Sequence, residues 1–157
     1  MSFRLSNRSL GKLEGVHPKL VETVKRAIEL TTTDFGVIYG VRTIEEQEAL
    51  YKKGASKTMK SYHLEQSDGY GHAVDLMAYI GPRGSWELNL YDDLADAMKA
   101  AAVETGAHIR WGAAWTVDDL REWDGTMEDA MNSYVDIRRS QGRRPFIDGP
   151  HFELRSI

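Results

Sequence analysis

The chain has 157 residues, 41% of them hydrophobic and 28% charged, and a formal net charge of −4. That length suits one domain with room for a core, and the acidic balance disfavours non-specific nucleic-acid binding. There is no cysteine, which excludes disulfides, thiolate catalysis and cysteine-rich zinc modules.

Residues 1–16 are polar and dotted with glycine, with no clear period. They hold no apolar segment of signal-peptide length, and no run in the chain approaches the ~18 apolar residues of a membrane span. The expectation is a chain made in a cytoplasm, without membrane insertion. From Pro18, a good first-turn residue, Leu20, Val21, Val24, Ala27, Ile28 and Leu30 recur at helical spacing. Phe35 to Val41 is short, apolar and rich in β-branched and aromatic residues, and reads as a buried strand followed by Arg42. Thr43 and Glu46 have the spacing of a capping box, predicting a helix to about Lys53 with Gly54 as its stop.

Residues 54–70 read as a long polar loop, and His72 to Ile80 as a second strand. Gly81 to Gly84 reads as a turn. A strong helix is predicted over Leu90–Thr105, ended by Gly106, then a short strand over Ala107–Trp111. Residues 112–125 give no clear pattern. Met127–Arg139 has helical spacing, and Phe146–Leu154 reads as a last strand. The four arginines 138, 139, 143 and 144 read as a solvated basic loop. The alternation predicts an α+β domain over 1–157: a small, mostly antiparallel sheet with helices packed on one side.

The chemistry concentrates in Ser61–Asp75, which holds His63, His72 and Asp75. Asp75 stands between Val74 and Leu76 in an apolar strand. A buried charge costs several kcal/mol unless it is paired or binds a metal, so Asp75 needs a cation, either a metal ion or Arg42 or Arg110. Asp148 and His151 near the C-terminus offer a further carboxylate and a further ligand. Catalytic zinc takes three protein ligands and accepts His nitrogen and Asp oxygen, so a His/Asp/His set suits it. Glu153 shares a strand face with His151 and could fix its tautomer or form a plain salt bridge. His17 and His108 read as structural or exposed, the latter with no acidic neighbour.

The run Ser61-Tyr-His63 followed by Gly71-His-Ala73-Val-Asp75 resembles the SxHxxGxAxD signature of zinc D,D-carboxypeptidases and L-alanyl-D-glutamate endopeptidases. Phe146 to Leu154 resembles the acid-x-x-His element of that family, and Arg42-Thr43-x-x-Glu46-Gln47 its arginine segment. Trp111-Gly112-Ala-Ala-Trp115 is similar to the tryptophan-glycine stretch of the phage endolysin branch. The resemblance implies His63, Asp75 and His151 as zinc ligands and Asp148 as general base. It implies Arg42 as the group that stabilises the polarised carbonyl or holds a substrate carboxylate, with Ser61 bracing the site or touching substrate.

The implied activity is hydrolysis of the L-alanyl-D-glutamate amide in bacterial peptidoglycan, causing host lysis. Its implied setting is the host cytoplasm, with a separate pore-forming protein giving a monomeric enzyme access to the wall. A single catalytic domain with no separate wall-binding domain is expected. The rival functions are a D-Ala-D-Ala carboxypeptidase and a non-catalytic wall-binding module. The chain departs from the signature in one place. Leu64 to Tyr70 separate His63 from Gly71, five residues more than the pattern has. That excess leaves His72 open as a rival ligand to His63, and the segment 116–145 open as a cleft cover or a peripheral addition.

Overall fold

The alternation along Ala73–Ile80, β2, decides the architecture. Val74, Leu76 and Ala78 are fully buried, while Asp75, Met77 and Tyr79 on the opposite face are only partly covered. One face of the sheet is therefore core and the other carries polar groups. The structure is a computed structural model and describes residues 3–56 and 58–156.

Every strand pairing is antiparallel. β1 (Asp34–Tyr39) lies along one side of β2. On the other side, β5 (His151–Ser156) covers Ala73–Asp75, and β3 (Arg83–Ser85) covers Ala78–Ile80. β4 (His108–Trp111) pairs with the outer side of β5, giving the order β1-β2-β5-β4. Ile109, Trp111, Phe152 and Leu154 continue the apolar face.

Two helices cover that face. α2 (Pro18–Leu30) buries Leu20, Val24, Ala27 and Ile28, and α4 (Leu88–Thr105) buries Leu94, Met98, Ala101 and Ala102. The alanines let the helices approach closely, and the Thr23 and Thr105 hydroxyls meet at 2.8 Å. α4 stops at Gly106, whose φ of +77° is the left-handed conformation that glycine adopts without a Cβ penalty. α3 (Ile44–Lys52) begins with the full capping box of Thr43 and Glu46.

Three local expectations are corrected. Residues 1–16 contain α1 (Asn7–Lys12), too short to show a period, capped by Ser6 and docked where the Val37 N–H donates to Ser9 Oγ. Arg83–Ser85 is a short strand, not part of a turn. The last strand begins at His151, not Phe146. Pro150 has no N–H for a ladder, and residues 149–150 turn instead, closed by His151 N to Asp148 O and held by Asp148 N to Gly112 O and Trp111 Nε1 to Gly149 O. α5 (Met127–Ser140) buries Met127 and Ala130 in the main core, so this part of the 116–145 segment belongs to the fold.

Candidate active site

The polar face of the sheet carries the cluster. Asp75 and His151 are direct partners in the β2–β5 ladder, so their side chains emerge on the same face. Asp75 Oδ1 lies 3.4 Å from His151 Nδ1. His63 comes from the loop before β2, and its Nε2 lies 3.2 Å from the same Asp75 oxygen. One ligand atom from each of the three residues falls within 4.8 Å of the others, a group that could hold a metal ion.

The far side of each imidazole is fixed. His63 Nδ1 donates to the Gly40 carbonyl at 2.8 Å, which turns Nε2 toward Asp75. His151 Nε2 donates to Glu153 Oε1 at 2.8 Å, which turns Nδ1 toward Asp75. These two nitrogens and the Asp75 carboxylate converge. Two imidazoles with set tautomers and one carboxylate are a fitting donor set for a divalent cation. His63 is held along its backbone as well: its N–H donates to Ser61 Oγ at 3.1 Å and its carbonyl accepts from Arg42 N at 2.8 Å. Ser61 therefore braces the loop that carries His63.

The electrostatics follow from the crowding. Burial opposes ionisation of Asp75, but hydrogen bonds from His151 and His63 outweigh it and hold the carboxyl far below its ordinary value. Burial likewise opposes a charged His151, yet its bonds to Asp75 and Glu153 raise the imidazole to about 10. Without an ion, a proton answers the carboxylates that a cation would answer. Glu153 is also burdened by burial, and His151 and Arg110 more than offset it, so its carboxyl is lowered. Arg110 pairs with Glu153 at 2.9 Å, so the charge of Asp75 is met by histidines and not by Arg42 or Arg110.

Asp148 and Arg42 line the same cleft as the three candidate ligands. Burial and the neighbouring Asp75 push the Asp148 carboxyl above its ordinary value. Asp148 is carried on the turn after Phe146, where a Cβ on Gly112 would come within 2.3 Å of the Asp148 carbonyl. Only glycine allows the turn to close against β4 there. The cleft is about 560 Å³, and Trp115 and Phe146 form one wall with ring centroids 6.1 Å apart. Tyr134 of α5 accepts the Phe146 N–H at 2.9 Å, so the added helix supports that wall.

His72 faces elsewhere. Its Nε2 meets Asp68 Oδ2 at 2.7 Å, and the same oxygen lies 3.9 Å from His17 Nε2. The extra residues after His63 thus fold back onto the start of α2, pinned by His72 and His17, and leave the ligand cluster undisturbed. His17 also caps α2, its Nδ1 accepting from Lys19 N at 3.0 Å. His108 does have an acidic neighbour, contrary to expectation: Asp118 Oδ2 is 2.8 Å away, brought back by the turn after β4. The role of Gly40 had no signal in the sequence, because only its backbone oxygen takes part.

A family model described as phage L-alanyl-D-glutamate peptidase matches residues 1–155. The chain belongs to that family. It is 29% identical over 158 residues to the L-alanyl-D-glutamate peptidase of Escherichia phage T5, covering 98% of this chain and 99% of that one. Its fold is similar to the crystal structure of the Serratia marcescens L-Ala D-Glu endopeptidase ChiX, with a TM-score of 0.71 and 30% identity over 98% of this chain and 91% of that one. The α+β architecture with an antiparallel sheet, and with His63, Asp75 and His151 gathered on its polar face, is thus the frame of a peptidase.

Proposed function

We propose that this peptidase uses zinc, held by His63, Asp75 and His151, to hydrolyse the L-alanyl-D-glutamate amide of peptidoglycan stem peptides. The observation that carries the reading is the convergence of these three donors in one cleft with Asp148 and Arg42. Family membership supports the bond, and the donor set supports the metal.

The chemistry that zinc supplies at such a donor set is Lewis-acid polarisation of the scissile carbonyl and a lowered water pKa. The chain's own groups do the rest. Asp148, with its carboxyl raised by burial, takes a proton from the attacking water and passes it to the leaving amine. Arg42 holds the charge that develops on the carbonyl oxygen or pairs with a substrate carboxylate, a task suited to a guanidinium. Ser61 accepts the His63 N–H, which keeps His63 in place, and lines the cleft that receives the peptide. Trp115 and Phe146 present an aromatic wall to the peptide and screen the site from water.

In this reading the enzyme waits in the host cytoplasm as a monomer and reaches the wall through a separate pore-forming protein. Digestion of purified peptidoglycan tests the assignment. New amino-terminal D-Glu supports it, and free D-Ala would instead indicate a carboxypeptidase.

A further inference from the structure

α3 buries a single residue, and that residue is polar. Gln47 is 0% exposed, while the apolar Ile44 and Tyr51 of the same helix are at the surface. A helix normally buries an apolar stripe, so a lone buried amide needs a reason. Its partners supply one. Gln47 Oε1 accepts from Arg42 Nη1 at 2.7 Å. Gln47 Nε2 donates to Ser56 Oγ at 2.8 Å and to the Thr58 carbonyl. Arg42, Ser56 and Thr58 all line the cleft. Arg42 in turn holds the His63 carbonyl through its backbone N–H.

We infer that Gln47 is a positioning residue, which aims the Arg42 guanidinium at the reacting carbonyl and ties Ser56 and Thr58 at the cleft rim to it. The inference rests on the role proposed above for Arg42. The amide engages one N–H of the guanidinium and leaves the others for substrate. A side chain with Arg42's freedom would otherwise sample many rotamers, and each misplaced one weakens a contact that acts only in the transition state. Ser56 and Thr58 line the cleft, so the same amide also shapes the entrance.

The test uses the full chain loaded with zinc and a muropeptide containing L-Ala-D-Glu, with variants Gln47→Leu, Gln47→Glu, Arg42→Ala and Gln47→Leu/Arg42→Ala. Gln47→Leu is expected to lower kcat about 10–100-fold with bound zinc unchanged. In the Arg42→Ala background the same substitution is expected to change kcat by less than about 3-fold, because Gln47 acts through the missing group. Gln47→Glu keeps the acceptor for Arg42 and loses the donors to the rim, so it raises KM more than it lowers kcat. It also serves if Gln47→Leu does not fold. Losses that multiply across the Arg42→Ala background, or that follow zinc content and Tm, overturn the inference. So does a Gln47→Glu variant with unchanged KM. A wild-type chain that cleaves the muropeptide while Arg42→Ala is unimpaired overturns the reading of Arg42 and this one together. A wild-type chain that leaves that bond intact overturns the proposed function itself.

Discussion

Asp75 on β2 and His151 on β5 face each other directly in the antiparallel ladder, and this register brings Oδ1 and Nδ1 to 3.4 Å. A slip of one residue would turn either side chain to the core face. The ladder is fixed on that core face by Val74 opposite Phe152, both fully buried. Packing on one side of the sheet thus sets the geometry of Asp75 and His151 on the other.

The metal reading makes a paired prediction. Chelation abolishes activity and added zinc restores it. His63→Ala loses bound metal, whereas His72→Ala retains it, because His72 is turned toward Asp68 and His17. Metal content of the purified variants by elemental analysis decides this, and the reverse pattern would make His72 the ligand.

Asp148→Ala should leave folding and zinc content intact and reduce wall lysis by about 10²–10⁴-fold, the usual contribution of a positioned general base. Turbidity loss of wall suspensions, with circular dichroism as the folding control, measures it. Unchanged lysis would remove Asp148 from the mechanism.

Glu153→Gln keeps the shape of the side chain and removes its charge. The loss weakens the brace on His151 Nε2, and zinc affinity is expected to fall about 10–100-fold. Competition against a chromophoric chelator reads it. An unaltered affinity would make Glu153 only the partner of Arg110.

Asp92 of α4 is a separate test of the electrostatics. It is buried, its Oδ1 has no hydrogen-bond partner among the described residues, and burial with nearby Glu128, Asp96 and Asp93 raises its carboxyl to about 6. The ordinary value is 3.8, so the folded state holds its proton more tightly than the unfolded one. Stability linked to this group is full below about pH 4 and is lost as pH rises through about 6. Asp92→Asn should therefore be more stable than the parent at neutral pH, by on the order of 1–3 kcal/mol, with the gain gone below about pH 4. Urea unfolding at both pH values measures it, and a gain independent of pH would contradict the sign.

Much of this was legible in the chain before any coordinates. A carboxylate inside the apolar run AVDLMAYI declared Asp75, and periodicity placed α2, α4 and α5 closely. The pairing of β2 with β5 was not legible, because register depends on contacts between distant segments. The preference for His63 over His72 was readable from the three-residue spacing of His72 and Asp75 in a strand, but the way residues 64–70 fold back, with Asp68 meeting two histidines, was not. α1 and β3 were too short to leave a period, and the turn at Asp148 hid in a run that looked like strand. The support that Gln47 lends Arg42 was invisible, since the capping box made α3 look like an ordinary surface helix.

The most direct test is mass spectrometry of purified peptidoglycan digested by the zinc-loaded protein. The account predicts stem peptides with a new amino-terminal D-Glu and L-Ala left on the glycan side. Release of free D-Ala, or no new amino termini, would contradict it.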